Sequence, residues 1–240
     1  MEKVVVITGG AGGIGQACVS EFAKENTVVI LDVNKKAVED CIAKYNVYGY
    51  VVDLLDIDNI HNVVSTIKER FHKIDVLVQT AGIMGSCLAL ETTSEQWELM
   101  MKINVEGMFF MMQEVVKQSM KEHGGVILNF SSEAAIRGFK GPMASVAYSA
   151  SKGAVISMSK QLAVEWGEYK IRVNSISPGG VMTLAMSELD FQEDCENIPL
   201  KRLSMPLEIA QTVVFLCSEK APMITGQNIV VDGGCSAVGV

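Results

Sequence analysis

Short, unbroken apolar runs alternate with longer amphipathic stretches from one end of the chain to the other. The runs over 3–8, 27–31, 47–52, 74–78, 126–130 and 171–176 are rich in valine and isoleucine. Apart from 171–176, where Arg172 and Asn174 interrupt, none alternates apolar with polar residues, which is the pattern of strands buried on both faces of a parallel sheet. Between them, 16–24, 35–44, 57–71, 94–122 and 147–167 carry apolar residues at helical spacing. This strand–helix rhythm predicts an α/β fold, a doubly wound sheet of about seven parallel strands with helices on both faces. No linker, repeat or low-complexity run interrupts it, so 1–240 reads as a single domain.

The first strand runs straight into Gly9-Gly-Ala-Gly-Gly-Ile-Gly15 and then into the first helix. Glycines there let the backbone turn tightly and approach a pyrophosphate, whose charge suits a helix N-terminus. The sheet is therefore expected to be of the Rossmann, dinucleotide-binding type. The second strand ends at Asp32, seventeen residues beyond Gly15. A carboxylate at that place accepts hydrogen bonds from an adenosine ribose and repels a 2′-phosphate. Val33 and Asn34 follow it, and the glycine loop holds no lysine or arginine. The cofactor expected is NAD rather than NADP.

Charge and composition narrow the class further. A net charge of −8 argues against nucleic acid or an anionic membrane as partner. No apolar run is long enough to span a bilayer, and the strand pattern begins at position 3, where a targeting peptide would lie. The cysteines at 18, 41, 87, 195, 217 and 235 form no C-x-x-C pair and read as reduced thiols of a cytoplasmic protein. His61, His72 and His123 lack ligand spacing, so no metal site is expected.

Chemistry enters with Tyr148 and Lys152, four apart on the helix predicted over 147–167 and hence on one face of it. A free tyrosine titrates near pH ~10, too high for a base at neutral pH. A lysine charge at about 4 Å is worth roughly 4 kcal/mol at an effective dielectric near 20, so Lys152 is expected to favour the phenolate. A Tyr-x-x-x-Lys alone is a weak signal; it gains force in front of a nicotinamide site.

Taken together, the motifs closely resemble those of the short-chain dehydrogenase/reductase family, over essentially the whole chain. The family's T-G-x-x-x-G-x-G is met by Thr8, Gly9, Gly13 and Gly15, and its helical N-V-x-G by Asn104 to Gly107. Its strand-end serine is met by Ser132, its Y-x-x-x-K by Tyr148 and Lys152, its R-V-N-x-I-x-P-G-x-V-x-T by Arg172 to Thr183, and its closing motif by Ile224 to Gly234. The resemblance implies that Tyr148 exchanges a proton with the alcohol or carbonyl, that Lys152 lowers the phenol's pKa and grips the nicotinamide ribose, and that Ser132 holds the substrate oxygen. It implies that Asn104 keeps a water linking Lys152 to solvent. Cofactor contacts implied are Gly9, Gly13, Ile14, Gly15, Asp32, Asp53 and Leu54 (flanking adenine), Ala81 and Gly82 (backing the ribose), Tyr148 and Lys152, and Pro178, Val181 and Thr183 at the nicotinamide amide. A homotetramer, or a homodimer, is implied as well, through the methionine-rich helix over 94–122 and the Tyr148 helix.

Two departures stand out. Gln79-Thr80 replaces the family's usual Asn-Asn before Ala81-Gly82, and Ser132 lies sixteen residues before Tyr148 rather than thirteen. The second implies a three-residue insertion in the active-site loop over 134–146, which carries Arg137 and Lys140, both candidates to meet an anionic substrate tail. The acidic stretch 184–200 lies where the family has its substrate lid. The reading is an NAD(H)-dependent oxidoreductase interconverting a secondary alcohol and a ketone, of unspecified substrate. An NADPH-dependent 3-oxoacyl-carrier-protein reductase is the alternative within the family, and a non-catalytic NAD-binding regulator the alternative outside it.

Overall fold

The computed structural model describes residues 2–183, 195–196 and 198–238, so most of the expected lid at 184–200 lies outside the described residues. Seven strands form one sheet: β1 Val4–Thr8, β2 Thr27–Asp32, β3 Tyr48–Val51, β4 Val76–Gln79, β5 Gly125–Phe130, β6 Ile171–Pro178 and β7 Asn228–Val231. All pairs are parallel, in the order β3-β2-β1-β4-β5-β6-β7. The order reverses direction between β1 and β4, the point where open α/β sheets gather their ligands beyond the strand C-termini.

Helices α1 (Gly13–Phe22), α2 (Lys35–Tyr45) and α3 (Ile57–Phe71) follow the first three strands. Helix α4 occupies 94–123, with π-helical turns at Lys102–Gly107 and Val116–Met120. Helix α5 is Val146–Glu165 and α6 is Pro206–Cys217. The pattern reading missed α6, although Pro206 at its first turn and the buried Ile209, Ala210, Val213 and Leu216 are helical signals. It also began α1 three residues late, because the helix starts inside the glycine motif at Gly13.

One apolar layer, with α3, α4 and α5, covers one face of the sheet and includes Val6, Leu77, Ile127 and Val155; the other, with α1, α2 and α6, includes Ile7, Val78, Leu128 and Ile209. Neighbouring strand residues thus point into opposite layers, which is why little polar alternation marks the strands. Met108, Met111, Met112 and Met120 are buried in the first layer, so most of the methionine of α4 is core. Cys18 of α1 and Cys217 of α6 sit in the second, where burial pushes both thiols up to about 12. Among the described residues no helix is long and apolar enough to cross a membrane.

Candidate active site

Every expected site residue among those described lies on the C-terminal edge of the sheet or in the segments that leave it. At the β1 end, Gly9 has φ +67°, and a Cβ there would come 2.6 Å from the Ala81 nitrogen. A Cβ at Gly15 would run into the Gly9 carbonyl, so the first turn of α1 packs directly on the glycine turn. Helix α1 has no side-chain cap at Gly12 and no acidic residue in its first turn. By contrast α2, α3, α4 and α5 are capped by Asn34, Asp56, Thr93 and Ser145. The first-turn N–H groups of α1 therefore lack a side-chain acceptor at the mouth of the site, as an anionic ligand requires.

Asp32 closes β2. Its carboxylate accepts from Ala11 N at 3.2 Å and from Asn34 N at 3.1 Å, one bond to each oxygen, leaving lone pairs for further donors. Asp53 lies just beyond β3 and accepts from Leu55 N at 2.9 Å, while Val52 N bonds the Asp32 carbonyl at 3.0 Å. Leu54 packs on Gly107, where a Cβ would crowd the Leu54 carbonyl. Pro178 ends β6, Val181 pairs with Ser204, and the Thr183 side chain reaches to 3.2 Å of the Cβ that Gly13 lacks. Ile14 packs into the core beneath the loop. The cradle is thus lined by backbone at the glycines and bordered by Thr183.

The altered Gln79-Thr80 pair builds its own network. Gln79 donates to Met108 O at 3.2 Å and to Asn129 Oδ1 at 3.0 Å, and Asn129 donates to Ser159 Oγ at 3.0 Å. Thr80 Oγ1 donates to the Thr8 and Gly9 carbonyls at 2.7 and 3.1 Å, fastening β4 to the glycine turn.

Two of the four catalytic candidates, Asn104 and Lys152, meet at the turn at Gly82. A Cβ on Gly82 would lie 3.0 Å from Asn104 Oδ1 and 3.3 Å from Lys152 Nζ. Asn104 accepts from Ile83 N at 2.8 Å and donates to Ile83 O at 2.9 Å and Ser151 Oγ at 3.1 Å. Its side chain therefore braces the 82–83 turn against α5. Lys152 is 4% exposed and donates to Phe130 O at 2.8 Å. Burial alone lowers its pKa from 10.5 to about 8. Ser131 Oγ, which the sequence reading passed over, donates to the Lys152 carbonyl at 2.8 Å.

The Tyr148 phenol is pushed up, first by burial and also by the charge of Glu133, against a hydrogen bond with Ser132 that lowers it. Lys152 Nζ lies 5.7 Å from the ring centroid, turned to Phe130 O, and its own charge is weakened by burial. Ser132 is in place beside the phenol, its Oγ accepting from Ala134 N at 3.2 Å.

The 134–146 loop winds into 3₁₀ turns at Glu133–Ala135 and Gly141–Met143 and docks on the β4–α4 connection, where Cys87 N bonds Ala144 O at 2.9 Å. Arg137 pairs with the buried Glu133 at 2.8 Å and lies 4.5 Å over the Phe139 ring. Its charge already has a partner inside the protein, so it is a poor receptor for a substrate anion. Lys140 is exposed.

A nucleotide cradle at the sheet's switch point with a Tyr–Ser–Lys–Asn group beside it defines a nicotinamide-type oxidoreductase site. The chain belongs to the short-chain dehydrogenase/reductase family: residues 9–236 match the family model described as enoyl-(acyl carrier protein) reductase. It is 36% identical to an NAD-dependent glycerol dehydrogenase of Listeria innocua, over 97% of this chain and 93% of that one. It is also 36% identical to a 3-oxoacyl-(acyl-carrier-protein) reductase FabG of Thermotoga maritima, over 97% of each. The solved 3-ketoacyl-(acyl-carrier-protein) reductase of Brucella melitensis complexed with NADH superposes with a TM-score of 0.91 at 32% identity, over 98% of each chain.

Proposed function

We propose that this oxidoreductase uses NAD(H) to interconvert a small secondary alcohol and its ketone. The observation that carries the reading is Asp32, held at the end of β2 by Ala11 N and Asn34 N and followed directly by Val33 and Asn34 rather than by a lysine or arginine that would receive a 2′-phosphate. The NAD-dependence named for the Listeria relative and the NADH of the Brucella structure support it; the carrier-protein reductases supply the alternative substrate.

The bound nicotinamide would supply or take the hydride. The chain does the rest. Backbone N–H groups of α1 bind the pyrophosphate, and Asp32 takes the adenosine ribose hydroxyls. Ser132 holds the substrate oxygen next to the Tyr148 phenol. In the buried, protonated form that the site favours, Tyr148 is ready to give its proton to a ketone; in the oxidative direction it must first lose it, helped by the positive charge of Lys152. Asn104 keeps the Gly82 turn, and with it the floor beneath Lys152, in place.

We further propose a homotetramer. Trp97, Val105 and Phe109 of α4 and Met158 of α5 line an open apolar groove, and Leu99 and Val164 stand exposed on the same helices, a surface a second copy can cover. The compartment proposed is the cytoplasm, where six free thiols stay reduced. Initial rates with NAD⁺ and NADP⁺ across a panel of neutral secondary alcohols and polyols test the main reading. NAD⁺-dependent turnover supports it, whereas turnover confined to NADP⁺ and carrier-linked 3-oxoacyl substrates sinks it. Light scattering of the eluted protein tests the assembly.

A further inference from the structure

Behind the catalytic group, the ends of three adjacent strands are joined by charge. Glu133 follows Ser132 at the end of β5 and is 7% exposed; Asp232 follows β7 and is 8% exposed. Both approach Gly179, which follows β6: a Cβ there would lie 2.8 Å from Asp232 Cβ and 3.5 Å from Glu133 Oε1. Arg137 is the cation of this cluster, 2.8 Å from Glu133 Oε2, and its charge also acts on Asp232. The turn itself is closed by Arg137 N and Ile136 N, both bonding the Glu133 carbonyl at 3.0 Å. Asp232 is fixed in turn by Gly234 N and Ser236 N at 2.8 and 2.7 Å, and Gly179 N bonds Val231 O at 3.0 Å.

A carboxylate is expensive to bury unless it is paired and hydrogen-bonded. Here it occupies the position next to the residue that holds substrate. We propose that Glu133 is a positioning residue of this site: paired with Arg137, it locks the Ser132 turn against the ends of β6 and β7 and sets the electrostatic field in which Tyr148 exchanges its proton. The charged groups that bear on Tyr148 are Lys152 on its own helix, 5.7 Å from the ring centroid, and Glu133 on the β5 turn, which is itself paired with Arg137. The Glu133 charge opposes ionisation of the phenol. Arg137 balances part of that charge.

The proposal rests on the oxidoreductase reading, and its test has one readout that does not. Tyrosine labelled with ¹³C at Cζ reports ionisation of the phenol by NMR without turnover, with the Tyr148 signal assigned by its loss in Tyr148→Phe. Glu133→Gln removes the charge and keeps the shape; the Tyr148 titration, and the acid limb of kcat/KM for alcohol oxidation, move down by about 0.5–1 pH unit. Arg137→Gln leaves Glu133 unbalanced, and both move up by a similar amount. Opposite shifts from the two halves of one ion pair are the signature, because a purely structural role lowers the melting temperature in both and moves the titration the same way or not at all. Equal or absent shifts in the NMR titration overturn the proposal. Absence of turnover with normal opposite NMR shifts overturns the oxidoreductase reading instead. If Glu133→Gln does not fold, Arg137→Gln, at a half-buried position, carries the test alone, and an unmoved titration there is equally fatal.

Discussion

The two halves of the site are built by different means. On the cofactor side, the β1–α1 turn and the end of β2 are shaped by backbone: glycines that admit no Cβ, an uncapped helix N-terminus, and one aspartate bound to main-chain N–H groups. On the substrate side, the ends of β5, β6 and β7 are held by Glu133 and Arg137 against Asp232, and the turn after β4 by Asn104 against Ile83 and Ser151, side chains distant in sequence. The first kind of construction tolerates no added atom. The second tolerates shape changes but not changes of charge or proton inventory.

Substitutions on each side should therefore fail in different ways. The largest effect expected is Tyr148→Phe, which removes the proton carrier and little else; kcat should fall by about 10²–10⁴-fold, with cofactor affinity kept within a few-fold by fluorescence titration. Substantial residual turnover would mean that another group carries the proton. Gly15→Ala should do the reverse. Its Cβ meets the Gly9 carbonyl and comes 2.9 Å from Gly10 Cα, so the turn must open at a cost of about 1–3 kcal/mol. Calorimetric titration should then show cofactor affinity lost along with melting temperature, and unchanged binding would refute the steric account of this turn.

Asp32→Ala is milder, since it removes one ligand contact and one repulsion. The preference for NAD⁺ over NADP⁺ in kcat/KM should shrink by about 10–100-fold, equivalent to about 1.4–2.8 kcal/mol, mostly through KM. A preference that survives intact would move cofactor choice to another residue.

The same contrast explains what the sequence made legible. The glycine loop, Asp32, Gly82 and the Tyr148–Lys152 pair are local features whose meaning depends only on the strand or helix they border, and all meet at the strand C-termini. Strand positions were readable because both faces of the sheet are covered, which leaves nearly unbroken apolar runs. Glu133 was not readable as a site residue, because its importance depends on Gly179 and Asp232, drawn from strands paired far apart in the chain. The surroundings of Tyr148 were out of reach for a related reason. Spacing puts Lys152 on the right face, but only the fold reveals that its ammonium is buried and turned to Phe130 O. Helix α6 went unread although its capping proline and apolar spacing were both in view.

Lys152 gives the smallest effect and the finest test of the substrate side. Its folded pKa, about 8, lies below the ordinary 10.5 because burial penalises the cation. Between those values the unfolded chain holds a proton that the folded chain lacks, so stability rises with pH across that window. Below it, the full penalty applies, about 3–3.5 kcal/mol from the size of the shift. Lys152→Met relieves the penalty at neutral pH but leaves the Phe130 carbonyl without its donor, so a net gain of about 1–2 kcal/mol is expected. In a chain of this size that is a melting temperature about 2–6 °C higher, in protein that no longer turns over. Comparing variant with wild type at each pH removes the titration of groups that do not interact with Lys152. The gap should be widest at pH ~6.5 and should close as pH climbs past ~8. A gap that holds constant to pH ~9.5 would mean that Lys152 stays charged in the folded protein, its cost met by the Phe130 carbonyl, and the phenolate would regain the full lysine charge that spacing alone first suggested.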